Sequence, residues 1–317
     1  MIHYLTYAEV DKQKWDNSIS NSFNGIIYAY SWYLDIVCPG WEALVENDYE
    51  RIFPLTARKK GGIHYLFQPV FTQQLGVFSK NKLNEDIIAA FIAKIPAKYK
   101  FAEINLNTFN KPDTSKHNVT PKLTYELDLI ASYETLYRNY SENTKRNIKQ
   151  ALHSNLSISK NITAEQIIEI FRKNKGKEIR TLKEKDYNTF KKLISICLYK
   201  NIAYLWGVKT KDDKLCAGAI FVESNKKVIF LFSATNSEAK FNGAMSFLID
   251  CLIKENSQHN LTLDFEGSNN PNLARFYKSF GSKECIYFQY KKNNLPWVLS
   301  ISVAFIKWIR KLLICQV

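Results

Sequence analysis

Asp264–Ser282 reads DFEGSNNPNLARFYKSFGS. It continues the run Leu261-Thr262-Leu263, whose alternation of apolar and polar side chains has the period of a strand. That period puts Leu261, Leu263 and Phe265 on one face and Thr262, Asp264 and Glu266 on the other. Two carboxylates on neighbouring same-face positions are costly in a core unless they border a cleft or meet cations. The turn-like SNNP follows, then a short helix carrying Ala274, Arg275, Phe276 and Tyr277, then Phe280 and Gly281. Glu266, nearest the end of the strand, is a candidate to orient or deprotonate an amine, with Asp264 beside it. Pairing with a Lys or Arg, or capping of the turn, would explain either carboxylate as well.

Upstream, IAYLWGVKT, KLCAGAIFVES and KVIFLFSATN read as three strands separated by the turns KDDK and SNKK. GAMSFLIDCLIKENSQ places Met245, Phe247, Leu248, Cys251 and Leu252 at helical spacing. The segment 202–290 therefore has the order β-β-β-α-β-α-β. WEALVEN, YERIFPLTARKK and IHYLFQPVF repeat the three-strand pattern earlier in the chain. A helix over NEDIIAAFIAKIPAKY follows, with Asn84 as N-cap, and then the strands KFAEINLN and LTYELDL. Duplication of one mixed α/β unit explains the recurrence, and 317 residues are enough for two cores.

This order resembles the GNAT acyltransferase fold. Doubled in one chain, it is similar to the Fem-like branch, which includes the aminoacyl transferases of peptidoglycan bridge formation. The resemblance implies two tandem GNAT-like units in an α/β, mixed-sheet chain. Residues 1–130 would form a degenerate unit, 131–295 the unit with the donor site, and 296–317 a C-terminal amphipathic basic helix. KFNGAMSFLID, Lys240 to Asp250, is similar to the family's phosphate-binding loop before a helix. Lys240, Asn242, Gly243 and Ala244 become the implied donor-binding residues, and Met245 stands where a second small residue is expected. A glycine at a helix start lets the backbone approach an anion, which the helix dipole favours. NPNLARFYKSFG resembles the family segment whose tyrosine protonates a departing thiolate, which implies that role for Tyr277. An aromatic stripe in a helix also suits core packing. ENTKRNIKQA resembles the segment in which a basic pair holds the acceptor, which implies Lys145, Arg146 and Lys149. A solvated helix face explains the same charges.

The implied activity is transfer of an acyl or aminoacyl group from a thioester or ester donor to an amine. Acyl-CoA or acyl carrier protein would be the co-substrate, with no cofactor bound permanently. Transfer from aminoacyl-tRNA to a peptidoglycan precursor, and a non-catalytic binding module for membranes or polyanions, stand as alternatives. SKNKLNEDII has no glycine at its helix start, so the donor site is expected in the second unit only. Nothing shows sustained heptads, which weakens the tRNA reading.

A net charge of +14 attracts phosphates of many kinds, and a Lys-rich composition alone would also produce it. The six cysteines lack C-x-x-C spacing and sit in apolar runs, which suits reduced thiols in a cytosolic protein. MIHYLTYAEVDKQKW does not read as a signal peptide. Five dispersed histidines and the absence of G-x-S-x-G and H-E-x-x-H argue against a metal site and serine-hydrolase chemistry. From Trp297 onward, LPWVLSISVAFIKWIRKLLICQV is too basic for a clean membrane span. It suits either an interfacial helix or one docked on the protein, so a cytoplasmic chain, peripheral at the inner membrane face in the first case, is expected.

Overall fold

The computed structural model describes residues 1–177, 182–267 and 270–297. The expected C-terminal helix lies, beyond Trp297, outside the described residues. Among those described, no helix is long and apolar enough to cross a membrane.

The chain forms two compact units: Met1–Lys122 with the segment starting at Ile286, and Leu123–Cys285. The expected boundaries were 1–130 and 131–295. The first unit runs β1 (Ile2–Leu5), α1 (Lys12–Asn21), α2 (Ser31–Val37), β2 (Glu42–Glu46), β3 (Arg51–Leu55), β4 (Ala57–Lys60) and β5 (Ile63–Phe67). It continues through β6 (Phe78–Ser79), α3 (Glu85–Ala93) and β7 (Tyr99–Asn105), and the chain then enters the second unit along β8 (Val119–Asp128). YERIFPLTARKK, expected as one strand, is two. Thr56 is buried and its hydroxyl bonds the Phe67 carbonyl, so the chain breaks there, and β3 and β4 join different sheets. The Asn84 side chain accepts the Ile87 N–H at 2.9 Å and starts α3 as expected. Leu44, Phe53, Leu66, Phe91 and Tyr99 belong to this unit's core.

The second unit runs α4 (Tyr133–Arg138), α5 (Glu142–His153), β9 (Ser157–Ser159), α6 (Ala164–Lys173) and α7 (Glu184–Tyr199). Then come β10 (Ala203–Lys209), β11 (Leu215–Ser224), β12 (Lys227–Thr235), α8 (Ala244–Asn256), β13 (Thr262–Asp264) and α9 (Pro271–Lys278). Strand β14 (Lys283–Asn293) leads back to the first unit. The order β-β-β-α-β-α-β expected for 202–290 is the one observed.

In the second unit the strands lie in the order β9-β10-β11-β12-β13-β8. Only β12 and β13 are parallel, as their helical crossover α8 requires. Several helix starts carry a side-chain cap: Ser141 for α5, a Thr163–Gln166 capping box for α6, and Asn270 with Pro271 at the first position for α9.

The register between β11 and β12 shifts after Ile220↔Phe232 to Phe221↔Phe230, which leaves Leu231 as an extra residue. In a regular strand Phe230 and Phe232 would share a face. Here Phe230 packs on Phe221 and Phe265, while Phe232 packs on Phe171 of α6 and Phe190 of α7. One bulge therefore feeds rings from one strand into the cores on both sides of the sheet.

Candidate functional site

Strands β12 and β13 pair at three positions only: Lys227↔Thr262, Val228↔Leu263 and Ile229↔Asp264. Strand β12 runs six residues further, to Thr235, without β13 beside it. The departing chain stays with its other neighbour, since the Phe265 N–H donates to the Tyr125 carbonyl at 2.9 Å. The two parallel strands thus separate where the bulge at Leu231 begins. Past that point, one edge of β12 has no partner strand among the described residues.

The side chain of Asp264 fixes the separation. It is 1% exposed, and its Oδ1 accepts the Thr124 hydroxyl and the Glu266 N–H, each at 2.9 Å. Its Oδ2 faces the Lys227 ammonium at 3.3 Å, and that ammonium also reaches Glu126 at 2.5 Å. Burial by itself lowers the Lys227 pKa, but the charges of Asp264 and Glu126 outweigh it and hold it above its usual 10.5. Glu266 adopts a left-handed φ of +56°. The period of two therefore stops at Asp264, and the two carboxylates do not form the same-face pair expected from the sequence. Asp264 lies inside the protein with both oxygens engaged, whereas Glu266 is half-buried beyond the strand end.

Tyr277, on α9, stacks on Phe265 with centroids 5.3 Å apart and lies within 6.4 Å of Phe230. Rings thus fill the base of the gap, while Tyr277 itself is only half-buried. Burial, and then the charge of Glu266, push the Tyr277 phenol above its usual value of 10.0. It stays protonated and able to donate at neutral pH. The structure brings Glu266 and Tyr277 into one electrostatic neighbourhood.

At the far end of β12, Lys240 closes a short 3-10 turn from Glu238, and Gly243 caps α8 with a φ of +73°. A β-carbon at Gly243 would lie 2.1 Å from the Asn147 carbonyl oxygen of α5. The glycine is therefore required by helix packing, whether or not an anion visits the loop. Asn242 Oδ1 accepts the Ala244 N–H at 3.1 Å, and Ala244 is fully buried, so these two face inward. Met245 is half-buried against the core, which accounts for a large residue where a small one was expected.

The contact at Asn147 carries the basic helix α5 past the start of α8. Lys145 pairs with Glu142 at 2.9 Å, Arg146 donates to Asn143 at 2.6 Å, and Lys149 is exposed. A groove of about 340 Å³, lined by Glu169, Lys173, Leu215 and Asn236 among others, opens at the same end of β12. Among the described residues, no His, Cys, Asp and Glu cluster could hold a metal ion.

No family model matches the chain, and no curated protein sequence does. Solved structures do. FemX superposes with a TM-score of 0.66 at 13% identity, covering 92% of this chain and 98% of that one. The fold is FemX-like. L-PGS from Bacillus licheniformis superposes at 0.54 with 10% identity over 93% and 96% of the two chains. The C-terminal domain of a candidate lysylphosphatidylglycerol synthetase from Agrobacterium fabrum gives 0.54 at 11% identity over 89% and 92%. At such identities the likeness establishes the fold alone, and it is the Fem-like fold expected from the sequence.

Within this FemX-like fold, two features escaped the sequence reading. Lys227 is one of two adjacent lysines in SNKKVIF, and nothing local says which is buried. Asp250, on the buried side of α8, accepts the Tyr133 hydroxyl at 2.9 Å, and burial pushes its carboxyl up. An acidic residue inside the apolar run FLIDCLI was the available signal.

Proposed function

We propose that the second unit is an acyltransferase that moves an acyl or aminoacyl group from a thioester or ester donor to an amine. The observation that carries this reading is the separation of β12 from β13 beside the Leu231 bulge. It frees a strand edge on which a donor carbonyl can meet backbone N–H groups. Catalysis there is mainly positioning. Glu266 orients the amine and accepts its proton. Tyr277 donates a proton to the leaving thiolate or alkoxide. Asp264 and Lys227 hold the turn that presents Glu266.

The start of α8, with Lys240, Asn242, Gly243 and Ala244, lies toward the donor's phosphates. Lys145, Arg146 and Lys149 on the adjoining helix supply positive charge for the donor or the acceptor. The names of the FemX-like neighbours favour an aminoacyl ester donor and a cell-envelope acceptor as the second reading. Acyl-CoA or acyl carrier protein is the donor in the first.

The full chain is incubated with acetyl-CoA, acyl carrier protein thioesters and charged tRNA in turn, with a mixture of amines as acceptors. Products are read by mass spectrometry. A donor-dependent amide product that is lost in Glu266→Gln supports the reading. Absence of product and of any thermal shift with all three donors overturns it.

A further inference from the structure

Strand β9 covers only part of the outer edge of β10. It pairs with Gly207, Val208 and Lys209, while Ala203 to Trp206 pair on the other edge alone, with β11. The Ile202 carbonyl accepts the Glu223 N–H at 2.8 Å, so even-numbered residues turn their backbone groups toward β11. Ala203 and Leu205 turn theirs outward, presenting two N–H and two C=O groups where β9 has ended. After Ser159 the chain leaves this edge for Thr163, which caps α6, and a groove of about 480 Å³ opens in its place.

The groove is lined by Ala203–Trp206, the start of α6, and Lys191, Ser195 and Leu198 of α7. Lys160, at its rim, is already engaged by Glu255 at 2.7 Å and lies over the Trp206 ring. Lys191 is half-buried and has no carboxylate partner among the described residues.

We propose that this groove binds an extended peptide, which adds as a short strand to β10 and places an acidic side chain against Lys191. A peptide backbone in the β conformation offers N–H and C=O groups at the two-residue spacing of Ala203 and Leu205. The ammonium of Lys191 selects the charge of the added segment. The site is built from β10, α6 and α7, away from the β12–β13 separation, and stands independently of the transfer reaction.

Short random peptides are displayed and selected on the full-length protein, with Ser195→Trp, which fills the groove from an exposed position, as the counter-selection. Enriched peptides are expected to carry Asp or Glu and to slow hydrogen exchange at the Ala203 and Leu205 amides. They should lose binding when alternate backbone amides are N-methylated. Lys191→Glu should weaken them by about tenfold, the loss of one charge-assisted contact. The proposal is overturned if no peptide is enriched over the Ser195→Trp variant. It is equally overturned if N-methylation is tolerated or both amides exchange at their free rates.

Discussion

Gly243 rests against the Asn147 carbonyl so closely that a methyl group there would sit 2.1 Å from the oxygen. The start of α8 and the middle of α5 are thereby locked, and the candidate donor loop shares a wall with the basic helix. Gly243→Ala combines left-handed strain with overpacking, and is expected to cost about 3 kcal/mol. Urea denaturation should show a lower midpoint at unchanged slope. Wild-type stability would mean that the two helices separate readily and that the loop owes its shape to something else.

Lys227 is the cation between two carboxylates, Glu126 and Asp264. Lys227→Met leaves both carboxylates without it, and breaking a buried pair from one side costs about 3–5 kcal/mol. The loss should be visible in thermal or chemical unfolding at neutral pH. A variant as stable as the parent would show that the network contributes nothing to the turn before Glu266.

The same group sets an alkaline limit. Its folded pKa lies above 10.5, so its contribution is fully present below 10.5 and fades as pH rises through the higher folded value. Stability measured upward from pH 10.5 should fall more steeply in the parent than in Lys227→Met. Parallel curves would contradict the assignment.

Tyr277→Phe keeps the ring that stacks on Phe265 and removes only the hydroxyl. Stability should hardly change, while turnover with a thioester donor should drop by about a hundredfold, the lower range for a general acid. Because burial and Glu266 raise the phenol, parental activity should show no loss from this group at neutral pH. An unchanged rate in Tyr277→Phe would assign the residue to packing.

Deleting Leu231 would join Phe230 directly to Phe232 in a continuous β11–β12 ladder, with Phe232 still opposite Ile220 and still on the face of Phe171 and Phe190. The expected result is a retained cooperative unfolding transition with the loss falling on turnover, since the irregularity beside the β12–β13 separation is gone. A deletion variant that no longer unfolds cooperatively, checked by near-ultraviolet circular dichroism, would show that the cores themselves need the bulge.

Element order was legible because it rests on local periodicity and punctuation. The apolar runs IAYLWGVKT and KVIFLFSATN between turns, the helical spacing in GAMSFLIDCLI, and the cap at Asn84 all act within a few residues of chain. The α/β, FemX-like organisation followed from that order. The site was legible only in part. Glu266 and Tyr277 were found as types at a strand end and on the next helix, but a pattern of two could not show that Asp264 ends the strand. That outcome depends on Lys227 and Thr124, which lie 37 and 140 residues away in the chain.

The sequence by itself determined the succession of strands and helices and the residue types available at each end, because these answer to neighbours along the backbone. Tertiary structure alone decided which carboxylate is buried, why Gly243 must be glycine, where β12 bulges and which edge of β10 is left open. Those depend on hydrogen-bond partners and packing surfaces brought together from distant parts of the chain, and no local pattern encodes the distance between them.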